Sequence, residues 1–537
     1  MRALQWRRIV TGLTPVTYAV SMHATIGESR TLPSLLATVP DALQVHAADG
    51  VAVALRPLRA GESIAVGDFR IVLRDDVAQG HKLALQEHAP GDQVVRYGLP
   101  IGRATAAIRP GEHVHVHNLA TALEGEVAYR AARPAPAKAG IAGAIGTWLG
   151  YRRANGRAAT RNEIWILPTV GCVGLTAEQV ARAAQARHSG LIAAGRIDGI
   201  LAFPHPHGCS QLGDDLGGTR ALLAGLAANP NAAGVLLLGL GCESNQLGDL
   251  LAALPEAARA KVRTLSSQGA GDELAEAAVL VDELVADASG AQREELPFSM
   301  LTVGLKCGGS DGFSGLTANP LLGRFSEALA AAGGTPILTE IPEIFGAEQA
   351  LLERAVDGPT FEAAAALVNR FKRYFLDQGL PVSENPSPGN IAGGITTLEE
   401  KSAGAVQKAG TAPLVSVLDY GEQVTQPGLA LLEAPGNDAV SSTALAAAGA
   451  TLVLFTTGRG TPLGFPVPTV KVASNRALAT GKPHWIDFDA SRVLDEGAAA
   501  TDAAFIDALL AIASGRRTAA EKAGQRAIAI WKKGVTL

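Results

Sequence analysis

The sequence predicts an α/β protein in which a large, mainly parallel-sheet region of two lobes follows a small β-rich domain. Three observations lead to this fold class. Beyond Trp148, short apolar runs alternate with helical segments, which is the order of βαβ units. Before Leu119, short alternating runs are separated by Gly, Pro and Asp, as in strands joined by tight turns. The chain has 537 residues, of which 47% are hydrophobic and only 4% aromatic, so small aliphatic residues must fill several cores.

Changes in composition divide the chain into five segments. Residues 1–42 carry early arginines and an apolar stretch that Pro15 interrupts, so we expect a disordered extension there and no secretory signal. The other segments are a β domain (43–120), an Ala/Pro-rich linker (121–146), a first α/β lobe (147–290) and a second α/β lobe (291–537).

Strands and helices alternate in both lobes. In the first lobe, EIWILPTV precedes the helical TAEQVARAAQAR, GILAFPH precedes TRALLAGLAANP, and VLLLGL precedes GDLLAALPEAARAK. In the second lobe, MLTVGL precedes NPLLGRFSEALAAAGG, and a long helix, FEAAAALVNRFKRYFLDQG, precedes three more strands with polar loops. The segment AAFIDALLAIASGRRTAAEKAGQRAIAIW is predicted to be helical throughout.

Charge and composition limit the classes of function. The formal net charge is −5, and no Lys/Arg cluster is interleaved with aromatic residues, which argues against a nucleic-acid partner. No segment has the apolar length of a membrane span, and four cysteines without a repeating spacing favour a reducing compartment. We expect a cytoplasmic protein that acts on a small molecule without a membrane partner, and a homo-oligomer stays open.

All four cysteines follow short apolar runs and lie in glycine-rich loops; they are Cys172, Cys209, Cys242 and Cys307. Ligands bind at the carboxyl ends of strands in open α/β sheets, so thiols there suit chemistry, although small buried hydrophobes are the alternative. In FPHPHGCSQLGDD, an imidazole and a thiolate lie close together, which suits Fe²⁺ or Zn²⁺; a capped turn without metal is the alternative. The candidate metal ligands are His205, Cys209, Cys242 and Cys307.

Other strand-end loops offer groups for a charged substrate. In LKCGGSDGFSG, Lys306 precedes a loop with Ser310 and Asp311, whose backbone amides can form an anion-binding nest. Asn437 and Asp438 follow one strand, and Arg459 between two glycines follows another, where it can clamp a carboxylate. Each of these loops can also be an ordinary turn.

The β domain concentrates histidine in two turns, GHK and GEHVHVHN. They contain His81 and Lys82 in the first, and His113 and His115 in the second. Alternating histidines on a strand face the same side, so they can contact a metal or substrate together. A partly solvated strand face explains them equally well. With Lys306 and Asp311, these four residues are the candidate catalytic groups, whereas Ser310, Asn437, Asp438 and Arg459 are the candidate substrate-binding groups.

From Leu43 onward the chain resembles the altronate/galactarate dehydratase family. The resemblance rests on segments in order along the chain, among them DVAQGHKLAL, GEHVHVHN, RNEIWILPTVGCV, HGCSQLGDD, GLGCESNQ, LKCGGSDGFSGLTANPLLGRFS, NPSPGNIAGGITTLEEKS, APGNDAV, TTGRGTP and HWIDFDA. RNEIWILPTVGCV, HGCSQLGDD and HWIDFDA favour the altronate branch. Two positions depart from the family pattern: Gly50, where Asn is usual, and His207, where Tyr is frequent.

The resemblance implies a small SAF-type β domain joined to a catalytic α/β region. It implies a hydro-lyase that removes water from D-altronate to give 2-dehydro-3-deoxy-D-gluconate in galacturonate catabolism, with Fe²⁺ required. Mn²⁺ stays open as the metal, as does an iron–sulfur cluster held by three loop cysteines. Galactarate or another aldonate is the alternative substrate, and a sugar-acid-binding protein without activity is the alternative outside enzymes.

Overall fold

Nine short strands build the β domain. The computed structural model of the chain describes residues 40–131 and 146–537, so most of the predicted extension and part of the predicted linker lie outside it. The strands are β1 (Ala42–Leu43), β2 (Val51–Ala54), β3 (Ser63–Val66), β4 (Phe69–Val72), β5 (Lys82–Ala84), β6 (Gln93–Arg96), β7 (Leu99–Ala104), β8 (His113–Val114) and β9 (Leu119–Ala120). They form three small antiparallel sheets of order β1-β2-β5-β8, β3-β4 and β6-β7-β9. The predicted β-rich domain is confirmed.

The first lobe is a four-stranded parallel sheet with helices. Its strands and those of a small sheet beside it are β10 (Thr147–Arg152), β11 (Ala158–Ala159), β12 (Glu163–Pro168), β13 (Gly199–Ala202), β14 (Ala232–Gly239), β15 (Val262–Ser266) and β16 (Glu294–Pro297). The parallel sheet has the order β13-β12-β14-β15, and β11-β10-β16 form the small antiparallel sheet. The helices are α1 (Gly174–Arg187), α2 (Ser189–Ala193), α3 (Asp214–Ala228), α4 (Leu247–Ala253), α5 (Glu256–Arg259) and α6 (Glu273–Ser289).

The second lobe has a seven-stranded parallel sheet. Its strands are β17 (Thr302–Cys307), β18 (Thr335–Leu338), β19 (Leu414–Leu418), β20 (Leu429–Leu432), β21 (Leu452–Thr457), β22 (Thr469–Ala473) and β23 (Phe488–Asp489). Its helices are α7 (Ala318–Ala331), α8 (Glu348–Leu352), α9 (Gly358–Leu376), α10 (Pro388–Ala392), α11 (Leu398–Ala405), α12 (Asp438–Ala447), α13 (Arg476–Gly481), α14 (Val493–Glu496), α15 (Ala498–Ala513) and α16 (Ala519–Lys522). The predicted fold class, α/β with two parallel sheets after a β domain, is confirmed.

The strand order of the large sheet reverses beside β17. The order is β19-β20-β18-β17-β21-β22-β23, so the chain first builds outward on one side of β17 and later on the other. The carboxyl ends of β17 and β21 therefore flank a crevice at a switch point, which is the usual ligand position in such sheets. The loops after Cys307 and Thr457 lie there.

The two lobes share an apolar core. Helix α3 of the first lobe packs on α12 of the second, and Leu222 and Leu226 lie in one buried cluster with Leu445 and Val453. Gly225 allows the approach, since a Cβ there would lie 2.6 Å from the carbonyl oxygen of Ala447. The lobes are thus packed directly against each other.

One prediction about local structure needs correction. The predicted helical segment near the C-terminus is helical only in α15 and α16, and residues 523–531 are irregular: the amides of 523–526 bond within the turn that ends α16, and the Ala527 amide donates to the Gly464 carbonyl. The described part of the predicted linker, 121–131, docks on the second lobe: the Val127 backbone pairs with Asn369, and Arg373 bonds to Glu126.

Candidate active site

Three histidines of the β domain come together at the ends of two paired strands. His81 directly precedes β5, and His113 on β8 is the register partner of Leu83 on β5. His81 Nδ1 and His113 Nε2 lie 3.0 Å apart. His115 completes the group, in which one ring nitrogen of each residue lies within 4.8 Å of the others. We call His81, His113 and His115 the histidine triad.

The triad is neutral at ordinary pH and accessible. Burial, reinforced by neighbouring positive charge, lowers the pKa of His113 to about 3 and that of His115 to about 4. Burial also lowers the pKa of His81. All three side chains are only half-buried. Neutral imidazoles that converge in an accessible place are suitable ligands for a borderline divalent metal.

A buried group of charges joins the β domain to the second lobe. Glu400, at the start of α11, pairs with Lys82 at 2.9 Å and with Arg96, and all three side chains are at most 1% exposed. The Lys82 ammonium also donates to the Gly394 carbonyl and to Thr396 Oγ1, both at 2.8 Å, so all three of its N–H donors are used. We call Lys82, Arg96 and Glu400 the interface ion cluster.

In this arrangement Lys82 positions neighbouring groups, and burial lowers its pKa to about 8, while its predicted catalytic role stays a prediction. It holds the segment 394–396 against the triad, where Thr396 Oγ1 lies 3.1 Å from His115 Nδ1. Glycines permit the close approach, because a Cβ on Gly312 or Gly394 would collide with the Gly80 carbonyl. The histidine triad, the loop after β17 and the segment 391–396 thus all lie at the contact between the β domain and the second lobe.

On the lobe side of this boundary, Lys306 carries a permanent positive charge. It lies on β17, fully buried, with Nζ 2.6 Å from Asp438 Oδ1 and 3.0 Å from Glu340 Oε1. Burial opposes the charge, but the two carboxylates raise the pKa of Lys306 above its usual range. The Asp438 side chain is 37% exposed, so this pair reaches the surface of the crevice.

Cys307 lies deeper, in a second group of charges. Its Sγ donates to Glu343 Oε2 at 3.0 Å and accepts from Lys408 Nζ at 2.9 Å. Burial raises the pKa of the Cys307 thiol to about 12, so it stays protonated at neutral pH. Burial likewise raises the pKa of Glu340, whose side chain bonds the Cys307 amide and whose backbone has a φ of 70°. Cys307, Glu340 and Glu343 also bring three ligand atoms within 4.8 Å.

The other predicted loop residues lie around the same crevice. Asp311 accepts from Ser474 Oγ and Asn475 Nδ2 at 2.8 Å, and its carboxylate is fully occupied in bracing the loop. The Ser310 hydroxyl is buried without a partner among the described residues. Asn437 caps α12 by accepting from the Ala439 and Val440 amides.

Arg459 is the exposed cation of this crevice. Its backbone amide donates to the Gly309 carbonyl at 3.0 Å, which ties the loop after β21 to the loop after β17. The guanidinium forms no ion pair with the described carboxylates and is free for a ligand. The structure thus gathers Lys306, Ser310, Asp311, Asn437, Asp438 and Arg459 as the sequence predicts, while their roles stay predictions.

The predicted metal ligands need correction, because the structure does not bring them together. His205 already uses both ring nitrogens: Nε2 lies 2.8 Å from the carbonyl oxygen of Pro168 at the end of β12, and Nδ1 lies 3.2 Å from the His207 amide. Cys209 and Cys242 are exposed in the first lobe, whereas Cys307 is buried in the second, since β17 belongs to the other sheet. Among described residues, the groups of three ligand atoms within 4.8 Å include neither His205, Cys209 nor Cys242.

Sequence reasoning missed the buried acids. Glu340, Glu343, Glu400 and Lys408 are not among the predicted site residues. Glu340 and Glu343 follow β18 in the segment TEIPEIFG, so the position after a buried strand was the available signal. Only the tertiary structure reveals that Glu400 meets two cations.

A separate cavity of about 600 Å³ lies away from these groups. Thr302 and Thr335, which begin β17 and β18, line it, so it lies at the amino ends of the strands. Arg157 is the single titratable residue of its lining.

Among the described helices, none is both long and apolar enough to cross a lipid bilayer.

Comparisons with known proteins identify the relatives of this chain. Three family profiles match in order: the altronate/galactarate dehydratase SAF domain over residues 40–122, the D-galactarate dehydratase/altronate hydrolase second domain over 150–289, and the D-galactarate/altronate dehydratase C-terminal domain over 298–536.

Individual relatives agree with these profiles. The altronate dehydratases of Bacillus subtilis (strain 168) and Escherichia coli (strain K12) are each 48% identical, over 92% of this chain and 99% of their own length. The galactarate dehydratase (L-threo-forming) of Escherichia coli (strain K12) is 31% identical over 83% of this chain and 86% of its own length. With the SAF-type domain and the two α/β lobes described above, this chain belongs to the D-galactarate/altronate dehydratase family.

Proposed function

We propose that this enzyme dehydrates D-altronate to 2-dehydro-3-deoxy-D-gluconate. One observation carries the choice of substrate: the chain is 48% identical to two altronate dehydratases along 99% of their length, but 31% identical to the galactarate dehydratase. Galacturonate catabolism is the metabolic context that fits this activity.

The reaction makes a clear electrostatic demand. The C2 proton, next to the carboxylate, is removed and the C3 hydroxyl departs, so negative charge accumulates on the acid group during the reaction. Preorganised cations in a site shielded from water meet that demand best. A group must accept the C2 proton, and another must protonate the departing hydroxide.

The histidine triad is the fitting place for the ferrous ion that the family resemblance implies. Its three neutral nitrogens converge within 4.8 Å, and imidazole suits Fe²⁺, whereas the predicted set with Cys209 and Cys242 does not converge. When bound, the ion supplies positive charge to the oxygens of the hydroxy acid. Mn²⁺ is accommodated by the same donors less readily, because it binds more weakly to nitrogen sites.

Side chains of the second lobe bind the carboxylate, stabilise the developing charge and accept the C2 proton. Arg459, free of ion pairs with the described carboxylates, binds the substrate carboxylate. The Lys306 ammonium stabilises the developing negative charge, because its pKa is raised and it stays protonated. Asp438 has one oxygen held by Lys306 and a partly exposed side chain, so its second oxygen is the proposed acceptor of the C2 proton.

The test is an anaerobic turnover assay on D-altronate and galactarate that measures the 2-oxo-3-deoxy acid. We expect turnover of altronate to cease with a chelator and return with Fe²⁺. His113→Ala should lose about 100-fold or more of this turnover together with the bound iron, as expected for a metal ligand.

His117→Ala is the matched control. His117 lies on the same turn, with its ring centroid 5.5 Å from that of His113, but outside the triad, so it should keep both iron and turnover. Equal losses in both variants would reject the triad as the iron site. Preferred turnover of galactarate would reject the substrate, and tight altronate binding without product would show a binding protein.

A further inference from the structure

Three exposed cysteines lie at one edge of the first lobe's sheet. Cys172, Cys209 and Cys242 follow β12, β13 and β14, which are adjacent parallel strands in the order β13-β12-β14. The carboxyl ends of parallel strands meet at the same edge, so the three thiols share a rim. None of the functions proposed above uses them.

Each of these cysteines directly follows a glycine, and the glycines bring the loops into contact. The Gly171 amide donates to the His207 carbonyl at 2.9 Å, and the Gly208 carbonyl accepts from the Asn245 amide at 3.0 Å. A Cβ on Gly208 would collide with the Thr169 carbonyl, and Gly208 has a φ of +100°. The loop after β13 is therefore held between the loops after β12 and β14. Cys172 and Cys209 directly follow glycines that these contacts hold in place.

The third loop is fixed in the same manner. Gly241 has a φ of +129°, and a Cβ there would lie 2.7 Å from Gln268 Oε1. Glu243, directly after Cys242, turns inward and accepts from Thr169 Oγ1 in the loop of Cys172. The buried Asn245 side chain also donates to the Thr169 carbonyl at 3.2 Å. All three loops are thus linked by hydrogen bonds, and each carries an exposed, free cysteine.

The arrangement suits a cofactor larger than a single ion. All three thiols are free, so they form no disulfide. Within the described chain, no group of three ligand atoms closer than 4.8 Å to one another contains any of them. A single ion needs such closeness, whereas an iron–sulfur cluster places inorganic sulfide and iron between its cysteines. Thiolates also select iron–sulfur clusters over hard cations.

We propose that Cys172, Cys209 and Cys242 bind a 4Fe–4S cluster through three of its irons. The fourth iron has no cysteine ligand, because Cys307, the remaining cysteine, is buried in the other lobe with its thiol between Glu343 and Lys408. None of these cysteines belongs to the histidine triad or to the residues proposed to bind altronate. The cluster site therefore stands independently of the proposed substrate.

The test uses the full-length protein, purified anaerobically and reconstituted with iron and sulfide. In addition to the iron at the histidine triad, we expect about four irons and about four acid-labile sulfides per chain. The protein should show a broad absorption band at about 400 nm. Cys172→Ser, Cys209→Ser and Cys242→Ser should each lose the sulfide and the absorption band. Cys307→Ser is the matched control and should keep both, even where turnover falls.

A second measurement needs no variant. Alkylation of the wild-type protein, mapped by mass spectrometry, should label all three exposed cysteines before reconstitution and none of them afterwards. Iron without acid-labile sulfide, a Cys307→Ser variant that loses the band as fully as the others, or unchanged alkylation after reconstitution would each overturn the assignment. These readouts do not involve turnover, so their outcome does not depend on the result of the altronate assay.

Discussion

Replacing Glu400 with glutamine is expected to loosen the β domain from the second lobe. The Glu400 carboxylate is the counter-charge of both Lys82 and Arg96, and the side chains of all three are at most 1% exposed. Glutamine keeps the size of the side chain and its ability to form hydrogen bonds. It nevertheless leaves two cations in the interior without a carboxylate, which is far more costly than losing a surface ion pair.

The structure sets the size of the effect. Lys82 Nζ and Glu400 Oε2 are 2.9 Å apart. Two unit charges at that distance attract by about 6 kcal/mol in an effective dielectric constant of about 20. Burial alone would raise the pKa of Glu400, but Lys82 and Arg96 lower it from 4.5 to about 2. Burial also lowers the pKa of Lys82 to about 8, so part of the gain at Glu400 is offset at its partner. Breaking a buried pair by removing one partner costs about 3–5 kcal/mol, and we expect a loss in that range.

The pH dependence has a defined sign. Because the pKa of Glu400 is depressed in the folded protein, its contribution is complete above about pH 4.5 and is lost as the pH falls towards about 2. In Glu400→Gln this acid-dependent part should disappear.

Urea unfolding measures the free energy of unfolding. Limited proteolysis measures how readily the chain is cleaved between the β domain and the second lobe. Asp76→Asn is the matched control, since Asp76 pairs with Arg59 on the same domain while 60% exposed, and the loss of such an exposed pair should leave the urea midpoint close to that of the wild type. If Glu400→Gln unfolds at the same urea concentration as Asp76→Asn, the reasoning about the interface ion cluster is refuted.

Three further predictions follow from other parts of the molecule. Because burial lowers the pKa of all three triad histidines, bound iron should be retained as the pH falls through 6.5 and be lost only in more acidic solution; a midpoint near 6.5, measured by iron titration, would contradict this. Lys306→Met should lower kcat by about 100-fold or more, and Lys306→Arg should recover part of it, whereas an unchanged kcat would exclude the proposed charge stabilisation. Gly208→Ala should cost about 2–5 kcal/mol of unfolding free energy, because a left-handed φ is combined with a collision. Gly61→Ala, with a φ of +86° but open space around it, should cost only about 1–2 kcal/mol, and equal costs would contradict the argument.

The sequence was informative where local pattern determines structure. The run EIWILP became β12, in which every residue is buried, and the apolar runs before Cys242 and Cys307 became β14 and β17. Polar residues after strands of one sheet had to meet at its edge, so Lys306, Asp438 and Arg459 were predicted together. The strand order, and with it the switch point beside β17, depends on long-range packing that no local pattern encodes.

The grouping of the cysteines shows why the remainder was not predicted. All four follow similar apolar runs, and only the sheet to which each strand belongs separates Cys307 from the other three. The residue before each cysteine distinguishes them: it is glycine in three cases and Lys306 in the fourth. The burial of Lys82 depends on Glu400, more than 300 positions later in the chain, so no local pattern reveals it.

The loop that carries Cys209 is held by residues 533–537, far along the chain. Asp215, at the start of α3, accepts from the Lys533 and Gly534 amides, Gln211 forms a β-bridge with Thr536, and the Leu537 amide donates to the Ser210 carbonyl. Domains generally fold in order of synthesis, from the N-terminus onward. The first lobe cannot finish in that order, since the ribosome must make the whole second lobe before these partners emerge. A ribosome stalled after residue 290 would therefore display a first lobe whose thiol-bearing rim is still open to chaperones and oxidants.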